Sequence, residues 1–199
     1  VDLLVDRRVL LDIRVRRRKI GLGLVIVVIG DEVFDRVFRE ELLELIVELR
    51  GKRVLLRALT GADWGEWCDV RDRNVEWLTP WEPMRPANLP DPTRDREAFV
   101  ARCAARERDR QSGLAHGFGL FVAGPHGDAL AGEVNLNGIV RGAQQTATIG
   151  YWIDRARAGQ RYVVEGVVVV LRHAFEQLHL HRVEICIVPR NANSRRVME

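Results

Sequence analysis

Residues 157–163 read Arg157-Ala158-Gly159-Gln160-Arg161-Tyr162-Val163, at the point where a strand gives way to a long helix. A loop entering a helix offers free backbone N–H groups and the positive end of the helix dipole, which together suit a phosphate. Gly159 lets a ligand approach the backbone closely, and Arg157 and Arg161 add positive charge. The plainer reading is a helix start that happens to contain a glycine. A second polar group, Glu133, Asn135 and Asn137, alternates with Val134 and Leu136, so its members share one face of a strand. Glu133 could act as a general base or be a hydrogen-bonded structural carboxylate, and the same two readings apply to Glu184. Asn191 to Ser194 follow Pro189 and open a last helix, where a serine is a natural cap. The five histidines form no ligand set. His173 is placed on a helix flank, and His179 and His181 in a loop, capping or facing solvent. No metal is expected.

The elements that would position these residues can be read from periodicity. Strands are expected at 9–15 and 22–29, and a helix from Asp31 to Leu49, stopped by Gly51. From Lys52 onward, Arg53 to Ala58 reads as a strand. Thr60, with Asp63 three residues later, caps a helix whose apolar face is Trp64, Trp67, Cys68, Val75 and Leu78. Five prolines from Pro80 to Pro92 then impose a loop. A helix restarts with Asp91 as its cap and runs to about Gln111. Three antiparallel strands follow, at Phe118–Ala123, Ala129–Asn137 and Thr146–Ile153. A helix spans about Gln160 to Leu178 despite the β-branched run Val167 to Val170, because its apolar stripe is long. Val183–Val188 is a strand, and Asn191 to Met198 open a helix.

Composition narrows the class. The chain has 199 residues, 47% hydrophobic and 30% charged, which suits a globular domain. Its longest apolar run, Leu22 to Ile29, is too short to cross a bilayer, and the start lacks a secretory pattern. The expected location is cytoplasmic. Cys68, Cys103 and Cys186 are read as buried free thiols. The net charge of +3 is small for a nucleic-acid binder, and the arginines from 102 to 110, interspersed with acids, read as a solvated face. Neither DNA nor membrane is expected as a partner, and a homodimer is left open.

The order β-α-α-β-β-β-α-β-α from residue 53 resembles the GNAT acetyltransferase fold. The specific likeness lies in Ile149-Gly150-Tyr151-Trp152-Ile153-Asp154, in Ala158 to Glu165, in His181-Arg182-Val183-Glu184-Ile185, and in Pro189 to Ser194. Asn74 to Glu82 adds a Trp-rich segment. In order and spacing these are similar to the RimJ/RimL-type N-acetyltransferases, the ribosomal-protein-alanine group of the GNAT superfamily. The resemblance implies an α/β (α+β) domain at 52–199, with a mixed, mostly antiparallel sheet flanked by helices. Residues 1–51 are then an extension of unknown role. The fold's usual C-terminal strands would lie beyond Glu199, so the domain is expected to lack them.

The implied reaction moves acetyl from acetyl-CoA to an amine, foremost the N-terminal amine of a ribosomal or other protein. The implied coenzyme contacts are Tyr151, Trp152, Ile153, Ala158, Gly159, Gln160, Arg161, Tyr162, Val163, Asn191 and Ser194. Backbone N–H groups near Tyr151 to Ile153 would stabilise the oxyanion. Ser194 is the implied acid, because Met198 stands where many GNAT enzymes carry a tyrosine. Glu133 is the candidate base, and Asn135 and Asn137 the acceptor-binding face. The sequence departs from the family pattern at Arg161, where a glycine or alanine is usual. An arginine there would either obstruct the phosphates or pair with them. A GNAT enzyme acting on a small-molecule amine and a non-catalytic CoA-binding module are the alternatives.

Overall fold

The computed structural model describes residues 47–199, apart from Arg85, Ala87 and His126. The strands expected at 9–15 and 22–29, and the helix as far as residue 46, lie outside the described residues. The end of that expected helix is corrected, because Glu48–Arg50 form a strand, β1. Gly51 is a turn residue whose N–H donates to Val54 O at 2.9 Å. The chain folds straight back into β2, Val54–Arg57, which pairs antiparallel with β1. The sheet therefore begins within residues assigned from sequence to the extension.

Among the described residues the sheet has six strands in sequence order. After β2 come β3 (His116–Gly124), β4 (Gly127–Val140), β5 (Thr146–Ile153) and β6 (Arg182–Glu184). Every pairing is antiparallel except β5 with β6, which is parallel. Alternating side chains supply a core on each face. On one face Leu56, Leu120, Val134 and Ile149 meet Val163, Val167 and Val170 of helix α4, Tyr162–Arg172. Gly166 lets α4 approach the sheet, since a β-carbon there would lie 3.1 Å from Leu120. On the other face Phe121 and Leu130 meet Trp67 and Val70 of α1 (Trp64–Asp72) and Phe99 of α3 (Arg96–Gln111).

Several boundaries differ from the sequence reading for local reasons. The helix after Thr60 breaks at Asn74, whose side chain turns inward, and resumes as the single turn α2, Val75–Leu78. Asp95, not Asp91, caps α3, its carboxylate accepting from the N–H groups of Glu97 and Ala98. Asp91 instead closes a turn by accepting from Thr93 N–H and Oγ1–H. Helix α4 starts at Tyr162 rather than Gln160, and its last turn, His173–Gln177, widens into a π-helix. Strand β6 stops at Glu184 instead of Val188, because β5 diverges from it beyond Thr148. The last helix, α5, is Ala192–Met198.

His173 is buried, and its Nε2 lies 3.2 Å from Nδ1 of buried His116. The cysteines are free, but Cys186 is exposed and Cys68 and Cys103 are half-buried. No helix among the described residues is long and apolar enough to cross a membrane.

Candidate active site

The divergence of β5 from β6 opens a cleft of about 750 Å³. The register accounts for it. Thr148 is the last residue of β5 paired with β6, yet β5 runs on for five residues to Ile153. Helix α5 enters beside that unpaired edge. Its cap is Asn191, whose Oδ1 accepts from Ser194 N–H at 3.0 Å. Ser194 thereby faces β5, where its hydroxyl lies 2.8 Å from Tyr151 Oη. Burial holds the tyrosine hydroxyl above its ordinary pKa, so it stays protonated at neutral pH.

One end of the cleft is closed by Arg157, Ala158, Gly159, Arg161 and Tyr162. Gly159 has φ +76°, and Arg161, the residue before α4, has φ +64° and ψ +14°. A left-handed residue followed by a helical one turns successive N–H groups inward, the concave arrangement that binds anions. The small residue usual at this position is thereby explained, since a positive φ favours one, and this chain instead holds an arginine in that left-handed backbone. Its side chain is exposed.

The opposite wall is anchored to the end of β5. Trp77 Nε1 donates to Ile153 O at 3.0 Å. Buried Asp154 accepts from Asn74 Nδ2 at 2.8 Å and Arg73 Nη2 at 2.6 Å. Burial opposes its ionisation, but the Arg73 and Asn74 hydrogen bonds prevail and hold its pKa below the ordinary range. This network fixes the segment that lays Trp77 and Trp81 along the cleft.

The third side is the polar face of β4. Asn135 and Asn137 line the cleft together with Arg106 of α3. Glu133 does not line it, which corrects its assignment as the base. It is fully buried, accepting from Trp67 Nε1 at 2.8 Å and from Arg102 Nη2 at 2.6 and 2.8 Å. Desolvation opposes its charge, but the two arginines prevail and lower its pKa, leaving a structural carboxylate with little affinity for a proton. Glu184 lies opposite Thr148 in the sheet and pairs with Arg182. Gln160 is exposed outside the cleft, its amide turned back to Ala156 O.

The structure thus brings together Asn135, Asn137, Tyr151, Trp152, Ile153, Ala158, Gly159, Arg161, Tyr162, Val163, Asn191 and Ser194. Sequence reasoning missed Trp77, Trp81 and Arg106. The Arg102/Arg106 spacing, in register with Phe99 and Cys103, was the available signal that these arginines face inward. Among the described residues no group of three or more His, Cys, Asp or Glu is placed to hold a metal ion.

Residues 53–199 match the acetyltransferase (GNAT) domain family. The chain belongs to the GNAT acetyltransferase family. It is 34% identical over 151 residues to the probable N-acetyltransferase YjcK of Bacillus subtilis (strain 168), covering 76% of this chain and 80% of that protein. It is 27% identical over 148 residues to the ribosomal protein uS5-alanine N-acetyltransferase of Escherichia coli (strain K12), covering 74% and 73% of the two chains. The structure of Mycobacterium smegmatis RimJ in complex with CoA-disulfide superposes with TM-score 0.66 at 26% identity, covering 77% of this chain and 72% of that one. This GNAT protein is an acetyl-CoA-dependent acyltransferase, and RimJ/RimL ribosomal-protein acetyltransferases are among its relatives. The cleft suits that co-substrate: the turn at Gly159 and Arg161 can receive a pyrophosphate, and the unpaired edge of β5 can receive an extended amide chain.

Proposed function

We propose that this GNAT enzyme transfers acetyl from acetyl-CoA to the N-terminal α-amine of a protein, in the cleft where β5 leaves β6. The observation that carries the reading is the sequence of surfaces along that cleft. A positive-φ anion turn stands at one end, the Tyr151–Ser194 hydroxyl pair stands beside the open edge, and Asn135 and Asn137 continue beyond it. Acetyl-CoA supplies the activated thioester. Backbone N–H groups of the open β5 edge polarise the acyl oxygen. Ser194 delivers a proton to the departing sulfur as the carbon–sulfur bond breaks and the nitrogen–carbon bond forms, and Tyr151 replenishes it. A free α-amine has a pKa of about 7.7–8.0, so water can remove its proton near neutral pH without a carboxylate base. A protein acceptor is favoured by the relatives named for ribosomal-protein acetylation.

The test is mass-spectrometric acetylation of alanine- and serine-initiated peptides beside lysine peptides blocked at the N-terminus and small amines such as polyamines. The α-amine peptides should be acetylated and the blocked ones left intact. Preference for small amines would move the enzyme to the other branch of the family. Coenzyme binding without turnover of any acceptor would leave a CoA-binding module.

A further inference from the structure

Arg106 projects from α3 into the cleft beside Asn135. Its Nη1 donates to Asn135 Oδ1 at 2.8 Å, so its close partner is a neutral amide. The nearest carboxylate, Glu133, is already engaged by Arg102 at 2.6 Å and stands 3.8 Å from Arg106. Asp109, one turn further along α3, contributes only a weaker field. Two guanidinium groups therefore share one carboxylate buried beside the cleft. Arg102 Nη2 donates to both carboxylate oxygens, and Arg106 is left as the partner facing the open side. A largely desolvated guanidinium whose carboxylate partner is shared and stands 3.8 Å away is incompletely compensated, and burial depresses the Arg106 pKa even against the attraction of Glu133. The fold makes room for it deliberately: a β-carbon at Gly117 would collide with Arg106 Nη1.

We propose that Arg106 recognises a carboxylate carried by the acceptor, a few bonds from the amine that is acetylated. The inference rests on the N-acetyltransferase reading above. The bound carboxylate completes the pairing that the chain leaves open, and Asn135 holds the guanidinium in the plane that receives it. Charge-assisted hydrogen bonds of this kind are worth on the order of tenfold or more in recognition. The carboxylate has two chemical sources: an acidic side chain near a protein N-terminus, or the terminal carboxylate of a small amino acid or dipeptide.

The experiment measures kcat and KM with full-length enzyme on alanine-initiated peptide amides carrying Glu or Gln at the second or third position. Alanyl-alanine and its amide form the small-molecule arm. The expected result is a preference of about tenfold or more for the carboxylate member of one pair, expressed in KM. Arg106→Gln should bring that ratio to about one, and Arg106→Lys should retain part of it, since lysine keeps the charge but not the fork. Preference in the peptide arm assigns a protein acceptor, and preference confined to the dipeptide arm assigns a small one. Equal turnover of every pair by the wild type, or an unchanged ratio in Arg106→Gln, overturns the role of Arg106 alone. Failure to acetylate any acceptor, with coenzyme A still bound, overturns the underlying reading instead.

Discussion

Replacing Glu133 by glutamine separates a structural carboxylate from a catalytic one. The side chain keeps its volume but loses its charge, and its new amide N–H must face Arg102 Nη2, which now donates to both oxygens. Breaking a buried ion pair by removing one partner costs about 3–5 kcal/mol, because the other charge stays behind. The Arg102 side chain retains 23% exposure, so part of that charge can be rehydrated and the lower figure, about 3 kcal/mol, applies. For a domain of this size about 3 kcal/mol lowers the melting temperature by roughly 6–12 °C. Catalysis should suffer much less. Loss of a true general base costs roughly 10²–10⁴ in rate and removes a limb of the pH profile. The assay is thermal unfolding by circular dichroism, with peptide acetylation at 15 °C between pH 6 and 9. A melting point lower by about 10 °C, with kcat within about tenfold of wild type and an unchanged pH profile, is expected. An unchanged melting point, with a hundredfold loss of kcat and a flattened profile, would refute the reasoning.

Arg161→Gly should leave stability unchanged or raised by up to about 1 kcal/mol, since relief of the left-handed backbone is offset by the entropy of an unfolded glycine. Calorimetry should meanwhile show coenzyme A bound several-fold more weakly; tighter binding would mean that the arginine obstructs the phosphates. Tyr151→Phe and Ser194→Ala should each lower kcat with little change in KM, and the double variant should fall no further, because the 2.8 Å hydrogen bond makes them one unit; additive losses would separate their roles. The buried His116–His173 pair predicts pH-dependent stability. Burial, then the neighbouring His173, lowers the His116 pKa to about 4, and burial lowers that of His173. The unfolded state then binds more protons below its own pKa near 6.5, so stability is full above that pH and is lost as pH falls toward about 4. Urea unfolding should register a loss of about 1.5–2 kcal/mol between pH 6.5 and 5, and His116→Gln should flatten that slope.

Much of the fold was legible because its periodicities are local. Thr146–Ile153 is a strand as expected. The long apolar stripe correctly outweighed the β-branched run that argues against helix, but its buried side was misplaced. Of the expected Val164, Val167, Val168, Leu171, Phe175 and Leu178, Val168 and Phe175 are exposed, and Val163, Val167 and Val170 face the core. What failed depended on partners distant in sequence. Nothing around Arg182 to Val188 tells that β5 will swing away after Thr148, so the strand looked longer than it is. Asn74 looked like part of a continuous helix because Asp154, which turns it inward, lies 80 residues away. At the site, glycine chemistry and the start of the last helix near Asn191 were readable, being properties of single turns, although the cap is Asn191 and not the serine expected to cap it. The polar face of β4 was readable too, but its division was not. Alternation places Glu133 beside Asn135 and Asn137, and only the packing of Trp67 and Arg102 against it sends it into the core while the asparagines stay in the cleft. The arginines of α3 looked solvated because acids are interspersed among them, and counting charges does not reveal which of them point inward.

The notch between β5 and β6 bears on more than turnover. Beyond Thr148 one side of β5 is a sheet edge within the body of the domain, and exposed edges template pairing with other chains. A bound co-substrate running along that edge would occupy those positions as a surrogate strand. Amide hydrogens of Ile149 to Ile153 that face the notch should then exchange slowly in the saturated protein and faster in the free one. By mass action, a ligand at a hundred times its dissociation constant adds about 2.7 kcal/mol to the folded state. The resistance of this chain to unfolding and aggregation would therefore follow the supply of coenzyme, acetylated or free, so that its lifetime, and not only its rate, depends on the occupancy of the notch.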